Sequence, residues 1–540
     1  MPVIPSESPA PLTAAPVEHN RTPRPIASTE NRRPDFWVLI FFTSLFLLFG
    51  SGRLGSTDAN DQLQAALIWV NTGQMGVTVP PKGFVQQRNP EGQMVPVPKQ
   101  FWWQAPNGLY YQTHDIGNVA LMTPIAALVS LKPGQQLTGV NIETPLLAKV
   151  LVSFLWSCIG AATCFVLYKT FALLYDARAG FGLAMLFALG TFFWPYTKTV
   201  WDVTPAAFCA ALLLYQCARR LTEDRLTVPQ AVGMTLTVAL SATFRFGTLP
   251  FLGLALLIIA YHLRKHLRPA HFLACAAAFL AAMLPTFLYN HIRMGAFWRP
   301  ATLIWRYKIA GTADFSGDFL PGFYGLTFSL NKGIFVCAPI LLLILLLPWV
   351  WKKLPPVHRQ MVGAFGSVAF AYVLMFAKIP SWSGAVGWGP RYMVNFLPLF
   401  FFVAAAVFMA LWDRYRTPLL ALAAVSVVAN FPPLVVNWDM AIVGSVGATR
   451  QYSNRPYPQL ALWRGLGFGL RGEPLPLPVG ARNDMAAIDA NRRFPDLWYA
   501  KLAAGGGKAR VAGYLVPLLL VGAMAFAVTR GNFRAPRDAA

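Results

Sequence analysis

The sequence predicts an all-α polytopic membrane protein, and three observations carry that prediction. Of 540 residues, 56% are hydrophobic and only 12% charged, which leaves too little polar surface for the several soluble domains this length would otherwise suggest. Mean hydropathy is +0.47. About twelve apolar runs of roughly 17 to 25 residues recur along the chain, each matched to the hydrocarbon thickness of a bilayer. Forty-three Pro and 42 Gly exclude a coiled coil. No Walker A loop, GxGxxG strand-turn, HExxH or CxxC pair is present, so an ATP-driven pump, a dinucleotide enzyme and a zinc protease are poorly supported.

In chain order, a Pro-rich leader over 1–35 carries Arg21, Arg24, Arg32 and Arg33. The first apolar run, Phe36 to Gly50, lacks a clean small-residue cleavage site and reads as a retained signal anchor behind a disordered cytosolic leader. Spans are expected at roughly 36–52, 146–168, 179–195, 204–218, 229–246, 249–263, 270–290, 332–351, 360–378, 391–412, 417–436 and 511–529. With the N-terminus inside, the short loops bearing Lys169 and Arg178, Arg219, Arg220 and Arg225, Arg264, Lys265 and Arg268, Lys352, Lys353 and Arg359, and Arg414 and Arg416 all fall in the cytoplasm. The tail with Arg530, Arg534 and Arg537 joins them, as the positive-inside rule requires. The apolar segment Ile116 to Leu131 would reverse every later loop if it crossed, so it is assigned as an interfacial or re-entrant helix.

Three long polar segments then lie outside, at about 53–145, 291–331 and 437–510. The last is expected to form a small outer cap held by Trp463, Phe468, Trp498 and Tyr499 over a transmembrane core at 36–436, with a final helix and cytoplasmic tail at 511–540. The absence of an internal repeat weighs against inverted-repeat transporters. A net charge of +23 is explained by membrane orientation, since the basic residues sit at helix ends without the interleaved aromatics of a nucleic-acid stripe. The six cysteines fall in or at the end of apolar runs and read as small core residues, neither a disulfide framework nor a metal site.

Chemistry begins just after the first span. Ser56-Thr57-Asp58-Ala59-Asn60-Asp61-Gln62 is followed by Leu63, Ala66, Leu67 and Val70 at helical spacing, which predicts an amphipathic helix along the membrane surface. Asp58 fits an N-cap with Asp61 at the third helical position. The same acids fit a general base at the mouth of a membrane cavity, because an attacking hydroxyl needs a proton acceptor. Capping and catalysis are compatible, since a cap fixes the carboxylate in place. Further on, Gly108-Leu109-Tyr110-Tyr111-Gln112-Thr113-His114-Asp115-Ile116-Gly117-Asn118 leads into the interfacial helix and Pro124. His114 and Asp115 fit a loop residue and a second cap, or a pair that holds an acceptor hydroxyl, a phosphate or a divalent ion.

An Asp just beyond the first span, a juxtamembrane helix, the Gly-x-Tyr-Tyr-x-x-His-Asp-x-Gly stretch and a Pro-containing apolar helix together resemble the GT-C superfamily of integral membrane glycosyltransferases. The relatives suggested are the protein mannosyltransferase and aminoarabinose transferase type. Ser329-Leu330-Asn331-Lys332-Gly333-Ile334-Phe335-Val336-Cys337-Ala338-Pro339 and Trp382-Ser383-Gly384-Ala385-Val386-Gly387-Trp388-Gly389-Pro390-Arg391-Tyr392 look like motifs of bacterial members. The likeness covers most of the chain in topology and about 60 residues in motif. Here the first acid motif is Asp58 with Asn60 and Asp61 where the pattern has an Asp-Glu pair, so both Asp58 and Asp61 stay open as the base.

The resemblance implies a polyprenyl-phosphate sugar as donor and a glycan, lipid or protein as acceptor, with no nucleic acid. It implies a bacterial cytoplasmic (inner) membrane with the active site on the periplasmic side, and leaves a divalent cation open. A lipid phosphate at the outer bilayer edge calls for cations at that depth. Candidates are Arg245, Lys332 and Arg391, with Tyr111, His114, Asp115, Trp382, Trp388 and Tyr392 as further substrate contacts. Arg391 follows Gly387, Gly389 and Pro390 and is flanked by ring systems, an arrangement that also suits a snorkelling Arg in an aromatic belt. Arg245, inside Thr243-Phe244-Arg245-Phe246-Gly247, costs about 2.5 to 3.5 kcal/mol at a span's centre and so requires a partner. Lys332 equally fits a loop cap. Lys198 and Asp202 fit the two ends of a short outer turn. The reading that follows is a transferase in which Asp58 or Asp61 accepts the acceptor's proton while Arg391, Lys332 or Arg245 stabilises the departing phosphate. A transporter or lipid-linked-sugar flippase, moving the intact lipid, is the alternative.

Overall fold

The computed structural model describes residues 33–78, 84–88, 94–98, 102–130, 144–298, 315–330, 332–380, 382, 384, 387–438, 441, 458–475 and 494–531. The expected leader, apart from its last residues, and stretches 442–457 and 476–493 of the expected cap lie outside the described residues. Each stretch expected to span is helical. In order come α1 (Arg33–Leu48), α2 (Thr57–Thr72), the strands β1 (Phe84–Arg88), β2 (Met94–Pro98), β3 (Trp102–Gln104) and β4 (Tyr110–Gln112), then α3 (Ile116–Val129) and α4 (Leu146–Leu174). There follow α5 (Ala177–Gly190), α6 (Trp194–Lys198), α7 (Val203–Glu223), α8 (Val228–Phe244), α9 (Leu249–His262), α10 (Pro269–Met294) and α11 (Phe319–Thr327). The chain continues with α12 (Pro356–Ala377), α13 (Leu397–Asn430), α14 (Pro458–Leu470) and α15 (Gly507–Arg530).

Among the described residues, five stretches are long and apolar enough to cross a membrane: α4, α10, α12, the Arg391–Val435 stretch containing α13, and α15. Shorter apolar helices, among them α5, α8 and α9, pack beside them. The core is aromatic. Phe171, Phe187, Phe401 and Phe402 interlock where α4, α5 and α13 meet. By contrast α10 and α15 present Leu273, Leu280, Leu518 and Leu519 outward, the pattern of helices whose outer face meets lipid.

The structure corrects several expectations. The first outer loop is not wholly helical: β1 pairs antiparallel with β2, and β3 with β4. The expected span at 332–351 is mostly a 3-10 helix over Pro339–Leu346, continued by Leu347–Val350, because Pro339 and Pro348 each remove a backbone donor. The spans expected at 391–412 and 417–436 are two helices, as expected, but they run into each other within α13 at a kink at Tyr415 (φ −127°, ψ 35°), where the backbone is not helical, just before Pro418. Pro418 cannot donate to the carbonyl of residue 414, which gives the bend its cause. Cys158 is exposed, not a core residue like Cys164, Cys209, Cys217 and Cys337. Helix α3 has 14 residues, about 21 Å at 1.5 Å per residue and short of the roughly 30 Å core. It lies packed against α2, α4 and α8. Gly117 makes that approach possible, since a Cβ there would sit 2.6 Å from the Thr243 carbonyl at the end of α8.

Candidate active site

Asp58 stands at the second position of α2. The cap is Ser56, in place of the expected Asp58: its side chain accepts from the Ala59 N–H at 3.1 Å. The carboxylate of Asp58 is not the N-cap acceptor of α2. It is 23% exposed, and Oδ1 lies 3.9 Å from Nε2 of His114. Asp61, one turn on, is fully buried. These two acids thus differ in access: Asp58 is partly exposed and Asp61 is buried.

Arg245 ends α8 and has the partner its burial demands. Its Nη1 meets Asp202 Oδ2 at 2.7 Å, while its guanidinium lies 4.9 Å from the Tyr392 ring centroid. Arg391 approaches the same Tyr392 ring at 5.2 Å and stands over Trp201 at 4.6 Å. Among the described residues no carboxylate lies within ion-pair distance of Arg391, and its buried Nε has no hydrogen-bond partner. Its nearest negative charges are Asp58 and Asp202, both in electrostatic reach. Arg245 is neutralised locally by Asp202, whereas Arg391 is held against ring faces. The backbone that presents Arg391 needs glycine at 389, where φ is +61° and Cys337 leaves a Cβ only 3.2 Å.

Residues 112–115 form a strap across this cluster. Arg293, 1% exposed near the end of α10, donates from Nη1 to the carbonyls of Gln112 and His114, both at 2.8 Å, and stacks over Tyr289 at 3.8 Å. Asp115 occupies the N-cap position of α3 but makes no side-chain cap bond. Its Oδ2 accepts instead from the Phe246 N–H at 3.0 Å, fixing the turn that follows Arg245. Its buried Oδ1 has no hydrogen-bond partner. Burial pushes the Asp115 carboxyl up to about 6, against the opposing pull of that hydrogen bond and of Arg293.

The other expected contacts have structural partners. The Lys332 ammonium donates to the Gly387 carbonyl and is 2% exposed, so it anchors the loop before Arg391. Trp388 is 1% exposed, its carbonyl accepting from the Tyr196 hydroxyl at 2.6 Å, and offers no ring face to the opening. Trp382 packs on Gly325 of α11. Tyr111 lies against Gly76 and accepts from Asn107 Nδ2 at 3.0 Å. Tyr392 alone among the expected rings carries two guanidiniums. Among the described residues no three His, Cys, Asp or Glu side chains gather to hold a metal ion.

A second ionic cluster had no signature in the sequence. Asp496, 1% exposed, takes Arg53 Nη2 at 3.2 Å, Lys198 Nζ at 3.3 Å and Lys501 Nζ at 2.7 Å. Lys198 does not bridge to Asp202; it also donates to the Leu434 carbonyl at 2.9 Å. Lys501 reaches the Ser51 carbonyl at 3.0 Å, and the Trp498 indole N–H reaches Leu47 at 2.8 Å. Arg53, Lys198 and Lys501 hold the Asp496 carboxyl well below the usual carboxylate range, outweighing burial. Burial lowers Lys198 to about 8. This clasp ties the segment before Asp58 and the turn before Asp202 to the C-terminal part of the chain.

No family model and no curated protein matches the sequence. Among solved structures the chain is similar to ArnT from Cupriavidus metallidurans bound to undecaprenyl phosphate, at 13% identity over 92% of this chain and 74% of that one, with a TM-score of 0.48. The apo state of the same protein gives 14% identity and a TM-score of 0.45. The oligosaccharyltransferase of Archaeoglobus fulgidus in the apo form is similar at 13% identity over 74% of this chain and 55% of that one, with a TM-score of 0.40. Likeness at this distance fixes neither a family nor an activity.

Proposed function

We propose that this chain is a membrane glycosyltransferase that moves a sugar from a lipid-phosphate donor to an acceptor on the outer, periplasmic face of a bacterial inner membrane. The observations that support it are a partly exposed carboxylate, Asp58, in electrostatic reach of a cation, Arg391, that has no carboxylate within ion-pair distance among the described residues. In this reading Asp58 takes the proton of the acceptor hydroxyl or amine as it attacks the anomeric carbon. The bond from that carbon to the phosphate oxygen breaks, and the negative charge gathers on the departing lipid phosphate, where Arg391 stabilises it. A phosphate-linked leaving group requires no proton, so a single displacement with inversion completes the step. Arg245, balanced by Asp202, and Tyr392 shape the wall beside the phosphate, and Lys332 sets the loop that carries Arg391.

The donor tail has a place as well. An apolar groove of about 450 Å³, lined by Phe323, Ile334, Phe335, Trp351, Phe370 and Val403 among others, runs along α12 beside the Lys332 segment. Its chemistry suits an isoprenoid chain. The domain division follows the same logic, with the leader, the 36–436 core, the 437–510 cap and the last helix as units of one transferase.

The test is to incubate the purified protein with a polyprenyl-phosphate sugar labelled in the sugar and an acceptor extract. Free polyprenyl phosphate together with labelled acceptor is the expected result. Movement of the intact lipid between leaflets without cleavage would establish the flippase instead.

A further inference from the structure

Residues 112–115 link β4 to α3, and both elements pack on α2, where Asn118 Nδ2 donates to Gln62 Oε1 at 3.2 Å. The ends of this strap are therefore tied to the helix that carries Asp58. Its middle is held from a third element. Tyr289 and Arg293 stand four residues apart on one face of α10, and the guanidinium lies 3.8 Å from the Tyr289 ring centroid. Arg293 Nη2 donates to Asn290 Oδ1 at 2.9 Å, while Nη1 donates to the carbonyls of Gln112 and His114, both at 2.8 Å. Gln112, fully buried, grips the same residue from its own side chain. Its Oε1 accepts from the His114 N–H, and its Nε2 donates to the His114 carbonyl at 2.9 Å and to the Tyr289 hydroxyl at 3.2 Å. Both backbone groups of His114 are thus held by side chains, and its imidazole meets Asp58 across 3.9 Å.

We infer that Arg293 and Gln112 are positioning residues that set His114 against Asp58, and that this placement governs how well Asp58 serves as a base. What Asp58 does rests on the transferase reading; where His114 is held does not depend on it. A base works best when a further group fixes its orientation, and the neighbour that meets Asp58 is the His114 imidazole. The separation makes the placement critical. From 3.9 Å, a movement of about 1 Å one way makes a hydrogen bond, and about 1 Å the other way parts the two groups. A displacement of that size costs about 10²-fold in rate. Arg293, 1% exposed, is among the costliest side chains to bury, and it directs Nη1 to the main chain on both sides of Thr113. That bonding fixes a backbone path, and the side chain on that path that meets the acid is His114.

The experiment has two arms on the purified full-length chain. In the first, acylation of His114 by diethyl pyrocarbonate is followed by peptide mass spectrometry in wild type, Arg293→Met and Gln112→Leu. Each variant is expected to modify His114 about fivefold faster, because the strap opens locally more often. Gln112→Leu decides the matter if Arg293→Met does not fold. The second arm measures sugar transfer and binding of a labelled polyprenyl-phosphate sugar. Each variant is expected to lose about 10²-fold in kcat with donor affinity within about twofold of wild type, a split that general loosening of the fold does not give. Adding His114→Ala to either variant is expected to cost less than about twofold more, since residues that act through one group are not additive. Unchanged acylation of His114 overturns the inference whatever the rates show, and so do additive losses or a His114→Ala protein at the wild-type rate. A wild-type protein that cleaves no donor contradicts the transferase reading instead, and the acylation arm still decides whether Arg293 and Gln112 place His114.

Discussion

Two ionic clusters draw members from the same two short stretches of sequence and have opposite characters. The Asp496 clasp is closed: one carboxylate, 1% exposed, faces three cations, and the two ammonium groups are completed by backbone carbonyls. The Asp58 cluster is open. Asp58 is 23% exposed, Arg391 leans on ring faces with no carboxylate in ion-pair distance among the described residues, and Asp115 keeps one oxygen unmatched. Arg53 belongs to the first and Asp58 to the second; Lys198 to the first and Asp202 to the second. Residue type and sequence neighbourhood therefore do not separate a closed structural ion cluster from one that is proposed to work on a substrate. What separates them is whether the protein itself supplies every partner.

The contrast is broken most severely by Asp58→Asn. Removing a general base costs about 10²–10⁴ in rate, so sugar transfer is expected to fall by that factor while the melting temperature, read by differential scanning fluorimetry, moves little, as for a substitution outside the core. Asp496→Ala should do the reverse. Leaving three buried or half-buried cations without their carboxylate is expected to destabilise the fold by about 3–5 kcal/mol, seen as a lowered unfolding midpoint. The sign with pH follows from the depressed Asp496 carboxyl: its stabilisation is complete above the ordinary carboxylate range and is lost only as acid goes below it. Arg391→Gln is the next in size, with transfer reduced about 10²–10³ and weaker binding of the lipid phosphate, as expected for loss of one charge-stabilising donor. A clasp-like outcome for Arg391→Gln, with stability lost and turnover per folded molecule kept, would merge the two clusters into one class.

The smallest effect sharpens the comparison. Asp115 is raised to about 6, so between about pH 4 and 6 the folded chain keeps a proton that the unfolded chain has released, and stability falls as pH rises through that window. Asp115→Asn keeps a carbonyl acceptor for the Phe246 N–H and removes the titration. Melting curves at pH 4.5 and 7 are expected to show the variant gaining on wild type at pH 7, by on the order of 2 kcal/mol at most.

The sequence made the helices legible because apolar runs of membrane length leave few alternatives, and the demand of Arg245 for a partner was legible because a lone charge in such a run is costly. That the partner is Asp202, 43 positions away, was not. Ser56 was hidden as the cap of α2 because Asp58 fits the same local pattern, and only the backbone shows which side chain turns back. The clasp was invisible for a simpler reason: Arg53 and Asp496 are 443 positions apart, and no local spacing reports a tertiary ion pair. Arg293 carries no local sequence signal of its role, yet its contacts with Gln112 and His114 make it the post on which the strap hangs.

The most direct test compares wild type and Asp58→Asn for two quantities at once, binding of a labelled polyprenyl-phosphate sugar and release of polyprenyl phosphate. An acid that serves the acceptor and not the donor predicts donor binding within about twofold of wild type with release reduced at least about a hundredfold. Release at the wild-type rate by the Asn variant would contradict the assignment of the base and, with it, the division between an open working cluster and a closed structural one.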